Sequence, residues 1–265
     1  MTGELVTAVR RRTDEVVGAL RSLDEDGLRA PSALPGWSRL TITCHLRYGA
    51  EAFGRMTVAA LEDRPVSYYP GGRAASRSAT LEPGPGEASV DVVASLADHG
   101  QALDRRWRGL AEAEWERVVR EPEDQPDLGP LPLGRLPLLR LTEVEVHGTD
   151  LDLGLADWSD VFVRVALPFR LGWLPTRRTN HRRVDDEVAG SWLLTAPDGP
   201  TWRVAVDGGA VSSEPVEPGT PADAVLEAPA RDLLALLLGR PVRTDPRYGG
   251  DVALAQAFSR AFPGP

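Results

Sequence analysis

The stretch "RLTEVEVHGTDLDLG", Arg140 to Gly154, sets two glutamates, a histidine and two aspartates in an otherwise apolar segment. A carboxylate and an imidazole four residues apart on a helix can reach one metal ion from the same face. The spacing decides which carboxylate that is. At about 100° per residue, with Glu143 at zero, His147 falls near ~40°, Asp150 near −20° and Arg140 near 60°. Apolar residues flank this group, Val146 and Leu139 on one side and Leu151 and Val144 on the other. Glu145 falls at about 200°, beside Thr142, Thr149 and Asp152, and is expected on the solvated face. A polar stripe of Arg140, Glu143, His147 and Asp150 within an apolar face is costly to bury unless its charges are paired or hold a metal. Either Arg140 pairs with Glu143 and His147 with Asp150, or Glu143 and His147 ligate an ion.

A second segment bears on that choice. In "LPGWSRLTITCHLRYGAEAFGRMTVAAL", Ile42, Gly49, Ala52, Phe53, Met56 and Ala60 fall within about 80° of His45 on a helical wheel. His45 therefore sits in the apolar face of another helix. Two histidines and one glutamate, with positions left open, form a known catalytic zinc arrangement. His45, Glu143 and His147 are the candidate ligands. Arg140 and Asp150 are candidate partners that orient them. Cys44 lies about 100° round from His45 and is not expected to share its metal. His99 falls at the edge of an apolar arc, and His181 lies in a basic loop. No phosphate-cradling glycine loop in a strand–helix context and no Gly-x-Ser-x-Gly elbow is present.

These residues need helices to hold them, and the first 155 residues read mostly as helix. Leu5, Val9, Val16, Leu20 and Leu23 mark a first helix. Ser38 is a plausible N-cap for a second, running to about Leu61. A third is expected over about 88–118 and a fourth over about 135–153. The Pro- and Gly-rich segment 62–87 reads as a long loop, and long loops are often functional. Beyond it the character changes. "GSWLLTAPDG" and "PTWRVAVDGGAV" read as two strands around a Pro-Asp-Gly turn. "PADAVLEAP" reads as a third strand, "ARDLLALLLG" as a helix and "GDVALAQAFSRAF" as a terminal helix. The fold class is α+β: a four-helix bundle over 1–157 and a smaller α+β domain over 158–265.

Bulk properties narrow the function. The chain has 265 residues, a net charge of −9 and one cysteine. An acidic chain with scattered arginines lacks the basic patch of a nucleic-acid binder. The densest basic run, Arg177, Arg178, Arg182 and Arg183, is offset by Asp185, Asp186 and Glu187. A single cysteine fits a reducing compartment. The N-terminal segment has no apolar run after a basic patch, and no stretch reaches a membrane span. A cytoplasmic protein without nucleic-acid or membrane partners is expected, monomeric or homodimeric.

"LPGWSRLTITCHL" and "RLTEVEVHGTDLDLG", about a hundred residues apart, resemble the paired metal-site segments of the mycothiol-dependent maleylpyruvate isomerase family. "GSWLLTAPDG … GDVALAQAF" is similar to the family's smaller domain, which is itself similar to sterol carrier proteins. The resemblance implies a DinB-like bundle with a divalent metal, usually zinc, held by His45, Glu143 and His147. It implies mycothiol as cosubstrate, and an arginine outside the metal shell that binds an acidic substrate. Arg73 and Arg77 in "YYPGGRAASRSA" are both candidates for that arginine. A free thiol is mostly protonated at neutral pH and is deprotonated on zinc. The implied activity is cis–trans isomerisation of an activated alkene acid, or thiol transfer to another electrophile. A metal-dependent hydrolase and a non-catalytic small-ligand-binding bundle are the alternatives.

Overall fold

A computed structural model describes residues 1–123, 129–180 and 188–264, apart from the side chains of 177–180. His181, Arg182 and Arg183, with the side chains of Arg177 and Arg178, lie outside the described residues, as do 185–187. The chain divides into two compact units, Met1–Phe162 and Val163–Pro265.

In the first unit the long helices are α1 (Thr2–Arg21), α3 (Arg39–Leu61), α5 (Ser89–Arg108) and α6 (Leu136–Asp150), with short helices α2 (Glu25–Arg29) and α4 (Arg73–Ser76) between them. Helix α1 packs on α5 and α6, and α3 packs on the same two, which closes a four-helix bundle. The apolar periodicity accounts for the core. Leu5, Val9, Val16 and Leu20 of α1 are buried, with Ile42, Leu46 and Met56 of α3 and Leu138, Leu141 and Val144 of α6. Ser38 caps α3, its hydroxyl accepting from the Thr41 N–H at 3.0 Å. That satisfies one of the amides a helix start leaves orphaned.

The third helix is shorter than expected. It ends at Arg108, and the segment beyond forms a 3-10 turn over Glu112–Glu116 and strand β1 (Val118–Val119), paired antiparallel with β2 (Leu131–Pro132). The long loop 62–87 is also more ordered than its composition suggests. It holds α4 and a 3-10 turn over Ser78–Leu81, and it buries Tyr68 and Tyr69. The Val66 N–H donates to the Arg120 carbonyl, and the Tyr48 hydroxyl to the Tyr68 carbonyl, so the stretch from Val66 to Tyr68 is pinned.

Helix α7 (Asp160–Asn180) starts just past the expected domain boundary at 157/158 and continues despite Pro168 and Pro175 in its interior. The second unit carries β3 (Gly190–Thr195), β4 (Thr201–Asp207), β5 (Ala210–Val216), β6 (Ala224–Glu227) and β7 (Arg247–Gly250) in the order β5-β4-β3-β6-β7. The Pro-Asp-Gly turn joins β3 and β4 as an antiparallel hairpin, and β6 lies parallel to β3. "PTWRVAVDGGAV" is two strands, not one. Gly208 and Gly209 both have positive φ, 53° and 84°, the requirement of a two-residue hairpin turn into β5. Helix α8 (Ala230–Leu237) follows β6, and the expected terminal helix is two short ones, α9 (Val252–Gln256) and α10 (Phe258–Ala261). Trp192 packs against Phe258 and Phe262 and donates its indole N–H to the Leu254 carbonyl.

Candidate metal centre

The segment before α3 is laced to the end of α6. The Ala33 N–H donates to the Asp150 carbonyl at 2.8 Å, and Arg39 donates to the Leu151 and Asp152 carbonyls. Gly36, at φ 79°, makes the turn that delivers Trp37 to the start of α3. This lacing brings His45 of α3 up to Glu143 and His147 of α6. His45 Nε2 lies 2.6 Å from Glu143 Oε2, and His147 Nε2 lies 3.7 Å from the same oxygen. One ligand atom from each residue lies within 4.8 Å of the other two, so the three can converge on one cation.

The surroundings suit that role. His147 Nδ1 lies 2.9 Å from Asp150 Oδ2, a contact that turns Nε2 toward Glu143. Burial lowers the pKa of His45 against the opposing pull of Glu143, which favours a neutral imidazole. Burial alone would raise Glu143, but the hydrogen bond with His45 and the nearby Arg140 guanidinium hold its carboxyl below the usual carboxylate range. Neutral imidazoles and an ionised carboxylate are the donor set a zinc-like ion takes. The residues present therefore fit a divalent cation.

Arg140 is 1% exposed and donates Nη1 to the Leu46 carbonyl at 2.8 Å. Burial pushes its pKa down to about 10, so it stays charged at neutral pH. Its close approach to α3 requires Gly49. A Cβ there would stand 3.1 Å from Arg140 Nη1 and 3.2 Å from the Tyr68 hydroxyl. Arg140 thus supports Glu143 electrostatically, with no carboxylate within hydrogen-bond reach among the described residues.

Glu145 corrects the wheel. It does not ligate the cluster, but it is not solvated either: it is 1% exposed. Its Oε2 lies 3.2 Å from Arg12 Nε of α1, and Ser159 donates to it from backbone and hydroxyl. Helix α1 covers that side of α6, and Gly148 makes room, since a Cβ there would meet Arg12 at 3.1 Å. Burial raises the pKa of Glu145 over the opposing bonds from Ser159 and Arg12.

Cys44 is fully buried with Leu40 and Val92, and burial raises its thiol to about 11. His99 faces a cavity between α3 and α5. The loop arginines separate. Arg77 lies over the Trp37 ring at 5.9 Å, and its Nε is buried without a hydrogen-bond partner among the described residues, whereas the exposed Arg73 lies over Tyr69 at 5.6 Å. Trp37 is the residue that sequence reasoning left without a role. Its ring stacks on His147 at 5.9 Å with 8° between planes, and meets His45 edge-on at 5.6 Å. The available signal was its place beside the N-cap of the His45 helix, where an apolar residue folds back over the first turns.

The description "mycothiol maleylpyruvate isomerase N-terminal domain" belongs to a family model that matches residues 9–152, more than half of the chain. Two solved structures share the fold. One is a crystal structure of the mycothiol-dependent maleylpyruvate isomerase, 17% identical, with a TM-score of 0.65 over 94% of this chain and 93% of that one. The other is a histidine-to-alanine mutant of such an isomerase, 18% identical, with a TM-score of 0.64 over 91% and 90%. No curated protein sequence matched the chain.

Proposed function

The chain belongs to the mycothiol maleylpyruvate isomerase N-terminal domain family, and from that premise we propose a zinc-dependent enzyme that uses mycothiol as thiol cosubstrate. The reaction is cis–trans isomerisation of an activated alkene acid such as maleylpyruvate, or thiol transfer to a related electrophile. The observation that carries this reading is the convergence of His45, Glu143 and His147 within 4.8 Å, with Asp150 behind His147. These three would hold the metal. Bound there, a zinc-like ion would deprotonate a coordinated thiol at neutral pH. Cys44, buried and with a raised pKa, is unsuited to serve as nucleophile, which favours a borrowed thiol.

The chain's own residues supply orientation. Asp150 holds the His147 Nδ1–H and so the direction of Nε2. Trp37 covers both imidazoles from one side. Arg77, stacked on the same indole, presents a guanidinium that suits a carboxylate bidentately. In the isomerase branch the thiolate adds to the alkene, the former double bond rotates, and the same C–S bond breaks. In the transferase branch the adduct keeps its thiol or loses another leaving group. We also read the second unit as sterol-carrier-like and the protein as cytoplasmic. Among the described residues no helix is long and apolar enough to cross a membrane.

The deciding experiment is turnover of maleylpyruvate by metal-loaded protein, with and without mycothiol. Isomerised product with thiol unconsumed indicates the isomerase branch, and a stable thioether the transferase. The thiol-dependent reading fails if mycothiol leaves the visible spectrum of the cobalt-substituted protein unchanged and turnover does not depend on it.

Two variants test the positioning. Asp150→Asn is expected to weaken metal affinity by about 10- to 100-fold, as loss of a ligand's orienting partner does. Competition with a chelator reads this directly, and unchanged affinity would leave Asp150 a purely structural role at the end of α6. Arg77→Ala is expected to raise KM for an acidic electrophile about tenfold or more, the cost of a charge-assisted hydrogen bond. Arg73→Ala should change it little. The reverse ranking in steady-state kinetics would reassign the substrate arginine.

A further inference from the structure

A cavity of about 350 Å³ lies between α3 and α5. It lies on the far side of α3 from the metal centre. Gly54, which lines it, follows His45 by nine residues, half a turn round at about 100° per residue. Arg55, Arg64, Arg106 and His99 line the cavity with the apolar Val58 and Leu103. Glu51 is the one carboxylate in the lining. On a chain of net charge −9, this is a local reversal of sign.

The three guanidinium groups are not equivalent. Arg55 shares the Glu51 carboxylate and donates to the Ser67 and Tyr68 carbonyls. Arg64 pairs with Glu62. Arg106, exposed at the rim of the groove, donates to the Gly54 carbonyl at 3.3 Å and has no carboxylate partner among the described residues. The groove therefore offers one unneutralised cation beside an apolar wall. Its volume is at the low end for small-molecule sites, which run roughly 300–1,000 Å³. Gly54 opens the wall, since a Cβ built there would meet nothing within 4 Å.

We propose that this cavity is a second ligand site, which takes a small organic carboxylate with an apolar body. The carboxylate pairs with Arg106 beside His99, and the body lies along Val58 and Leu103. Charge complementarity selects the head, and the apolar lining selects against inorganic anions. The site is separate from the metal centre and does not depend on the thiol reading.

The test is calorimetric titration and thermal melting of the metal-loaded full chain with octanoate, octanol and inorganic phosphate. Octanoate is expected to bind saturably and raise the melting temperature, since a ligand specific for the folded state stabilises it by mass action. Octanol and phosphate should do neither. Arg106→Ala should weaken octanoate binding about two- to fivefold, the worth of an ion pair that water still reaches. Gly54→Leu places a side chain in the groove and replaces a poor helix former with a good one. It should melt no lower than the parent, keep its metal and lose octanoate binding. Three results overturn the proposal: no octanoate binding by the parent chain, equal binding of octanol or phosphate, or octanoate binding unchanged in both variants.

Discussion

His147→Ala is expected to leave the protein without its metal. Elemental analysis of the parent should give about one divalent ion per chain, and of the variant none. If the ion is zinc, absorption spectroscopy should place nitrogens at ~2.0–2.1 Å and a carboxylate oxygen at ~2.0–2.2 Å. On the proposed assignment the loss would be large, because three side chains would supply all the protein ligation and removing one would leave a pair that water readily competes with. His45→Ala and Glu143→Gln should behave alike. In each case helix content should hold, because the three side chains are only partly buried and the bundle core lies elsewhere. Stoichiometric metal in His147→Ala would end the three-ligand assignment. The pairs of His45 and His147 with Glu143, and of His147 with Asp150, would then stand as structural features alone.

The parts of this site that could be read from sequence are those set by position along one helix. His45 falls among Ile42, Gly49, Ala52 and Phe53, and Glu143 and His147 fall one turn apart. Wheel geometry needs nothing else to put each in a buried face. Ser38 before α3 and Pro-Asp-Gly between β3 and β4 were equally legible, since a cap and a turn are local chemistry. What stayed hidden depends on what another element brings. A wheel reports which way Glu145 points but not that Arg12, far away in sequence, waits there. It cannot bring Arg77, rather than Arg73, onto Trp37 across a loop. The missed strand β5 was legible in principle, because two adjacent glycines ask for a hairpin turn. Helix α7 was obscured by its own Pro168 and Pro175, which ordinarily stop or kink a helix.

Glu145→Ala is expected to act on stability and not on metal content, the opposite of His147→Ala. The variant strips Arg12, itself 2% exposed, of its buried counter-ion. An unpaired buried charge costs about 3–5 kcal/mol. The low end applies, because Arg12 keeps Glu15 at 3.0 Å and the Ala156 carbonyl at 2.9 Å. Ser159 also loses its acceptor, which loosens the entry to α7. For a chain of this size about 3 kcal/mol corresponds to a fall of roughly 6–12 °C in Tm. Replacing both partners, Arg12→Met with Glu145→Leu, should recover much of the loss, because buried ion pairs are often matched by apolar pairs of similar volume. Melting curves of the two single variants and the double variant, with metal content measured on each, complete the test. A Glu145→Ala protein that melts like the parent would mean that water reaches Arg12 and the pair is not buried in solution. A variant that keeps its fold but loses its metal would move Glu145 into the ligand set and break the division between the two faces of α6.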